Sequence, residues 1–280
     1  MDLPRISVVT PSFNQAAFLE RTLQSVLSQG YPALEYLVLD GGSTDGSAGL
    51  LRSYADRLAF VRSAPDGGQA AALREGFERS TGDVQCWINS DDVFEPGALR
   101  FVGEVFAARP DIDFIYGSVR NIDVNDRRLF TSHTVLGLPT LSYESSFTPQ
   151  QAMFWRRGLY EKAGGIDASY RFAMDFDLLV RMVLAGARPL KVRRVLGSIR
   201  VHGAAKSSSM QHICAEEVQR TLARHGLVHG GPLARFLKCW GLRAYRFARD
   251  PRCLYAAVES RLKGVGPQSA KAHAQRAAGP

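Results

Sequence analysis

The chain has 280 residues, 45% of them hydrophobic, which allows one large buried core and excludes a chain without fold. Its net charge of +8 falls wholly in residues 215–280, with 12 Lys and Arg against 4 Asp and Glu; residues 1–214 balance at 23 and 23. A neutral body argues against nucleic acid as the main ligand, and the basic end suggests an anionic partner such as a membrane surface.

The first residues, Met1 to Ile6, show no basic-then-apolar leader, and no apolar run approaches the roughly 18 residues that span a bilayer. Cys86, Cys214, Cys239 and Cys253 have no paired metal spacing, so a cytoplasmic protein with free thiols is expected. Ile6 to Thr10 reads as a strand that stops at Pro11-Ser12-Phe13-Asn14, and Ala17 to Gln29 as an amphipathic helix. A second strand, Leu34 to Leu39, ends in Asp40-Gly41-Gly42-Ser43-Thr44-Asp45-Gly46, and a helix over Ser47 to Leu58 follows. Ala59 to Val61 is a third strand, with a helix from Ala70 to Ser80 behind the Pro65-Asp66-Gly67-Gly68-Gln69 loop. With Val84 to Ile88 as the fourth strand, the alternation predicts an α/β fold with a Rossmann-like, mostly parallel central sheet flanked by helices.

Each of these strands ends in polar residues, and the fourth runs into Asn89-Ser90-Asp91-Asp92. Ligands of open α/β sheets bind outside the carboxyl ends of strands, where paired carboxylates suit Mg²⁺ or Mn²⁺ carrying a diphosphate. The same acids are also ordinary turn and cap residues. There is no Gly-x-Gly-x-x-Gly after the first strand and no Gly-Lys-Ser/Thr, so neither dinucleotide redox chemistry nor P-loop hydrolysis has its phosphate cradle.

Thr10-Pro11-Ser12-Phe13-Asn14, Gln24-Ser25-Val26-Leu27-Ser28-Gln29, Asp40 to Gly46 and Asn89 to Asp92 together resemble the inverting family 2 glycosyltransferases, over about residues 5–210. That resemblance implies the GT-A fold and a nucleotide-diphosphate sugar donor, UDP being the expected nucleotide, with Mn²⁺ or Mg²⁺. It places Pro11, Phe13 and Asn14 at the base and ribose, Asp40 on the base, and Asp66, Gly68 and Gln69 along the donor pocket. Asp91 would face the ribose and Asp92 would ligate the metal. Three positions depart from the family pattern: Gly41 where a second acid is common, Gly67 where Lys is common, and Arg74 where Asn is common.

Farther on, Leu99 to Ala108 reads as a helix, Phe114 to Val119 as a strand, and residues 129–148 as an acceptor-facing loop. Ala173-Met174-Asp175-Phe176-Asp177-Leu178 resembles the family's Glu-Asp-Tyr-Asp-Leu stretch with Met174 in place of Glu, which makes Asp175 the general base. On position alone, Asp175 and Asp177 also suit the first turn of a helix. Ser198 to His202 resembles the family's closing Tyr-Arg-x-His segment, so His202 would complete the metal site or touch the diphosphate, with Arg200 and Lys206 as phosphate neutralisers.

Residues 1–213 thus read as a catalytic domain, 214–263 as a basic helical extension and 264–280 as a disordered tail. Helices are expected over Glu216 to Leu227, Pro232 to Arg249 and Leu254 to Leu262, the second with an apolar stripe that suits either the parent domain or peripheral contact with an anionic membrane. The expected activity is inverting transfer of a sugar to a glycan or lipid-linked acceptor in cell-surface polysaccharide or glycolipid synthesis. The alternative is a catalytically silent nucleotide-sugar binding module that recruits partners.

Overall fold

The computed structural model describes residues 2–136, 141, 149–203, 205, 210–227 and 232–262. Lys206, the expected tail at 264–280, and most of the 129–148 loop lie outside the described residues.

Among the described residues, nine strands form one sheet in the order β3-β2-β1-β4-β8-β6-β9-β5, with β7 paired to β6. They are β1 (Ile6–Ser12), β2 (Leu34–Asp40), β3 (Phe60–Ser63), β4 (Val84–Trp87), β5 (Val93–Phe94), β6 (Phe114–Ile122), β7 (Arg128–Ser132), β8 (Met153–Arg156) and β9 (Pro189–Arg200). The first four are mutually parallel, and β6 is parallel to β9; β8, β7 and β5 are the antiparallel insertions. Most paired residues are therefore in parallel register, as expected.

Alternation along the strands assigns each side chain to one of two cores. Val9, Leu37, Leu39 and Trp87 face one core, covered by α3 (Gln69–Arg79), α5 (Arg157–Lys162), α6 (Met174–Leu184) and α7 (Gln211–Arg224). Val8, Tyr36, Val38 and Cys86 face the other, covered by α1 (Ala16–Leu27), α2 (Ser47–Ser53) and α4 (Ala98–Ala108). Two further helices, α8 (Pro232–Arg249) and α9 (Arg252–Leu262), follow.

Register collects the strand ends. Ser12 lies opposite Asp40 and Asp40 opposite Ser63, while Ile88 donates its N–H to Val9 at 3.0 Å. Because β9 is parallel to β6, and β6 runs with β4, the Arg200 to His202 segment emerges at this same carboxyl edge.

Two expectations are corrected: Arg128–Ser132 is a strand rather than loop, and the helix expected over Ser47 to Leu58 ends at Ser53, before a 3₁₀ turn at Ala55–Arg57. The Ser198 to Arg200 segment ends a long strand that begins at Pro189. The helix expected from Glu216 starts at Gln211, and its Val218 and Leu222 belong to the first core.

Candidate active site

The loop after β4 is built before it is functional. Thr22 of α1, fully buried, donates its hydroxyl to the carbonyls of Ser90 (2.9 Å) and Asp92 (2.7 Å). Ser25 accepts the Phe94 N–H at 3.1 Å, and Gln29 donates to the Glu95 carbonyl at 3.0 Å. The Gln24 to Gln29 motif therefore braces the acidic loop from behind.

The two acids point to different places. Asp92 is 3% exposed, with Oδ2 accepting from Gln151 (2.6 Å) and Asn89 (3.2 Å) and Oδ1 from the Arg200 N–H (2.9 Å). Burial, and next the neighbouring Asp91 carboxylate, push its pKa well above the ordinary carboxylate range. Asp91 instead meets His202, Nε2 to Oδ2 at 3.1 Å, with its side chain 20% exposed. The resemblance gives the metal to Asp92, with His202 completing the site; in the structure the adjacent carboxylates project apart, and the one that meets the imidazole is that of Asp91. The ring of His202 lies 4.6 Å from that of Phe18, which fixes its orientation.

Arg200 crosses beneath them. It donates to the Asp91 carbonyl at 2.9 Å, pairs with Asp126 at 2.6 Å and lies 5.1 Å from the Phe18 ring centroid. Its Nη2, like Ser12 Oγ and Gln151 Oε1, is buried with no protein hydrogen-bond partner among the described residues. Gln69 joins the same cluster by donating to Asn89 at 2.9 Å.

The other side of the edge is formed by the loops that follow β1, β2 and β3. Phe13 is 60% exposed, and an added Cβ on Gly41 would lie 3.3 Å from both its ring and the Asp66 carboxylate. Gly41 therefore packs against Phe13 and Asp66 too closely for a side chain to fit without displacing them. Asp66 accepts the Gly68 N–H at 2.7 Å and pairs with Arg62 at 3.3 Å, and Gly68, at φ +97°, holds a conformation that a side chain would strain.

Asn14 also has positive φ, 51°; it donates its N–H to Ser43 and accepts that of Thr44, locking the β1 loop to the β2 loop. Pro11, paired with Leu39 inside β1, is buried backbone of that edge. Asp40 is fully buried and accepts from the Gly42 and Ser43 N–H groups and from the Ser43 and Ser63 hydroxyls, so the expected direct contact with a base is replaced by a loop-shaping role.

Asp175 stands in the first turn of α6, half-buried, accepting the Phe176 N–H at 2.8 Å. Burial raises its pKa to about 6, with Glu217 adding to the rise and backbone N–H groups opposing it. Asp177, by contrast, is fully buried and bound to Arg181 at 2.6 Å. No contact among the described residues joins Asp175 directly to the Asp91 cluster. Its neighbours are Cys214 and Glu217 of α7.

The residues fit a divalent cation in one respect. Asp91 and His202 present one oxygen and one nitrogen ligand, types that Mn²⁺ accepts. Among the described residues no three His, Cys, Asp or Glu side chains converge, so other positions would fall to diphosphate oxygens and water.

Residues 7–172 match the family described as Glycosyl transferase family 2. An uncharacterised glycosyltransferase of Mycobacterium tuberculosis is 30% identical over 195 residues, covering 69% of this chain and 74% of its own. A PGL/p-HBAD biosynthesis glycosyltransferase of Mycobacterium bovis is 28% identical over 185 residues, covering 65% and 70%. Among solved structures, S. aureus TarS residues 1–349 with UDP-GlcNAc superposes with a TM-score of 0.65 at 16% identity, covering 82% of this chain and 69% of that one. The mannosyltransferase PcManGT of Pyrobaculum calidifontis, in complex with GDP-Man and Mn²⁺, gives 0.57 at 18% identity, covering 98% and 88%. The fold is GT-A. With the family matched over more than half of its length, this chain belongs to glycosyl transferase family 2.

Proposed function

We propose that this protein transfers a sugar with inversion from a nucleotide-diphosphate donor, UDP being the expected nucleotide, to a hydroxyl of a glycan or lipid-linked acceptor. The setting is cell-surface polysaccharide or glycolipid synthesis on the cytoplasmic side. The observation that carries this reading is the Asp91–His202 pair, brought by two distant segments to the carboxyl edge that also carries the Phe13 and Asp66 loops. Neighbours of the same fold bound to UDP-GlcNAc, or to GDP-Man with Mn²⁺, support both donor type and cation.

In this reading the ring of Phe13 packs on the base and Asp66 receives a donor group from it. Asn14 and Asp40 keep the two loops in shape, while Gly68, Gln69 and Asn89 line the sugar diphosphate. Asp91 and His202 would hold Mn²⁺ or Mg²⁺, which when bound supplies positive charge against the diphosphate. Arg200 Nη2 offers a buried cationic donor on the same side. Asp175 takes the proton of the acceptor hydroxyl. That oxygen attacks the anomeric carbon on the face opposite the leaving group, and the electron pair of the breaking C–O bond departs on the diphosphate. Raised to about 6, the Asp175 carboxylate is a stronger base than an ordinary one and still ionised at neutral pH.

Calorimetry with UDP-, GDP- and dTDP-sugars, with and without Mn²⁺, tests the reading. UDP-sugar binding that tightens with Mn²⁺ is the expected result, together with turnover that rises as pH climbs through about 6. Donor binding without turnover makes the silent nucleotide-sugar binding module the better account, and absence of binding by every nucleotide overturns both readings.

A further inference from the structure

We infer that Glu217, on a helix beyond the matched family segment, is the positioning residue that holds the general base Asp175 in place for proton transfer. This rests on the base assignment above and goes beyond it.

Residues 171–173 form the final approach to α6, whose first turn carries Asp175. Ala173, at the cap position, has no side chain that could accept a hydrogen bond, and the backbone N–H groups that lead into the helix are instead bound from across the chain by Glu217. Its carboxylate, in a residue only 7% exposed, accepts three successive backbone donors: Arg171 at 2.7 Å, Phe172 at 2.9 Å and Ala173 at 2.8 Å. Burial alone would raise its pKa; the three N–H groups outweigh that and hold it below the ordinary value.

The same face of α7 continues the clamp at helical spacing. The Arg220 guanidinium lies 4.0 Å from the Tyr170 ring centroid, Thr221 and Tyr170 share a 2.7 Å hydroxyl contact, and Arg224 pairs with Asp167 at 3.0 Å. Positions 217, 220, 221 and 224 thus hold the whole 167–173 segment, while Val218 and Leu222 anchor the helix in the core. A glutamine could not replace the carboxylate. Its single oxygen would serve part of the donor set and its NH₂ would confront the rest.

Glu217 also sets charge. It is the charged group of α7 that acts on Asp175, the Cys214 thiol on the same helix feels both carboxylates, and on α6 itself Asp177 is engaged by Arg181. A fixed negative charge behind the base favours its proton uptake.

The test uses the full chain carrying Glu217→Gln, with Tyr170→Phe as a variant that loosens the same segment without altering charge. The assay is nucleotide release from the sugar nucleotide that binds best in the donor screen, with water as acceptor. Glu217→Gln is expected to lower kcat roughly 10-fold or more with donor Kd unchanged, and to shift the acidic limb of the kcat profile to lower pH; Tyr170→Phe leaves that limb in place. Asp175→Asn separates the two readings. Wild-type turnover there overturns the base assignment itself, whereas loss of turnover there with wild-type kcat and pH limb in Glu217→Gln overturns the inference alone. Should Glu217→Gln fail to fold, hydrogen exchange in the unaltered protein decides: slow exchange of the Arg171, Phe172 and Ala173 amides supports the clamp, and exchange at the rate of open loops overturns it.

Discussion

At the residue scale, the division of labour between Asp91 and Asp92 was not legible in the sequence. Two adjacent carboxylates in a turn look equivalent, and only the Gln151, Asn89 and Arg200 donors around Asp92, from segments up to 108 residues away, distinguish them. This predicts opposite phenotypes. Asp91→Asn should abolish the tightening of donor binding by Mn²⁺ in calorimetry while the melting temperature stays near that of the parent. Asp92→Asn should keep the Mn²⁺ effect and lose roughly 1–3 kcal/mol in denaturant unfolding, because an NH₂ placed against buried donors leaves them unsatisfied. The reverse pattern would return the cation to Asp92. Glu217 was missed for a related reason. A Glu on a polar helix reads as solvated charge, and nothing local to it announces three backbone donors from residues 171–173. Asp175, by contrast, could be singled out as a candidate base, because its motif lies within six residues of continuous chain.

At the element scale, legibility followed local periodicity. The first four strands and their helices are short, apolar and bounded by turns, so pattern and fold agree through β4 apart from the early end of α2 at Ser53. β7 and the first part of β9 carry Arg128, Arg193 and Arg194 and are only partly buried, so their sequences lack the continuous apolar signature. Tertiary pairing to β6 makes them strands. The boundary between body and extension is a matter of packing. Leu222 is 3% exposed within the first core, and Tyr170 reaches α7 from the other side. Leu222→Ala should therefore cost about 2–4 kcal/mol. The loss should appear in one cooperative urea transition that takes Trp fluorescence and donor binding together. A separate early transition, with donor binding retained past it, would make α7 a detachable appendage.

At the scale of the whole molecule, charge and apolar surface coincide at α8 and α9. Trp240, Tyr245, Leu254, Tyr255 and Val258 are each between 48% and 69% exposed. The acids of this region turn inward, Asp250 to Lys191 at 2.7 Å and Glu259 to Arg128 at 3.1 Å, so bases such as Arg243 and Arg249 dominate the outer face. No helix among the described residues is long and apolar enough to cross a membrane. Exposed aromatic and aliphatic side chains bordered by Arg suit an interfacial position on anionic lipid, where each base adds about 1 kcal/mol and salt weakens the attraction. Such a contact would bring the transferase to a lipid-linked acceptor without a spanning segment. The full chain should sediment with vesicles containing phosphatidylglycerol and not with pure phosphatidylcholine, and 0.5 M NaCl should release most of it. Trp240→Ser combined with Tyr255→Ser should reduce that binding at low salt by roughly 10-fold while donor affinity holds, since neither residue belongs to the Asp91 and Asp175 surroundings. Equal binding by the double variant would move the contact off this face, and equal binding to both vesicle types would remove the electrostatic argument.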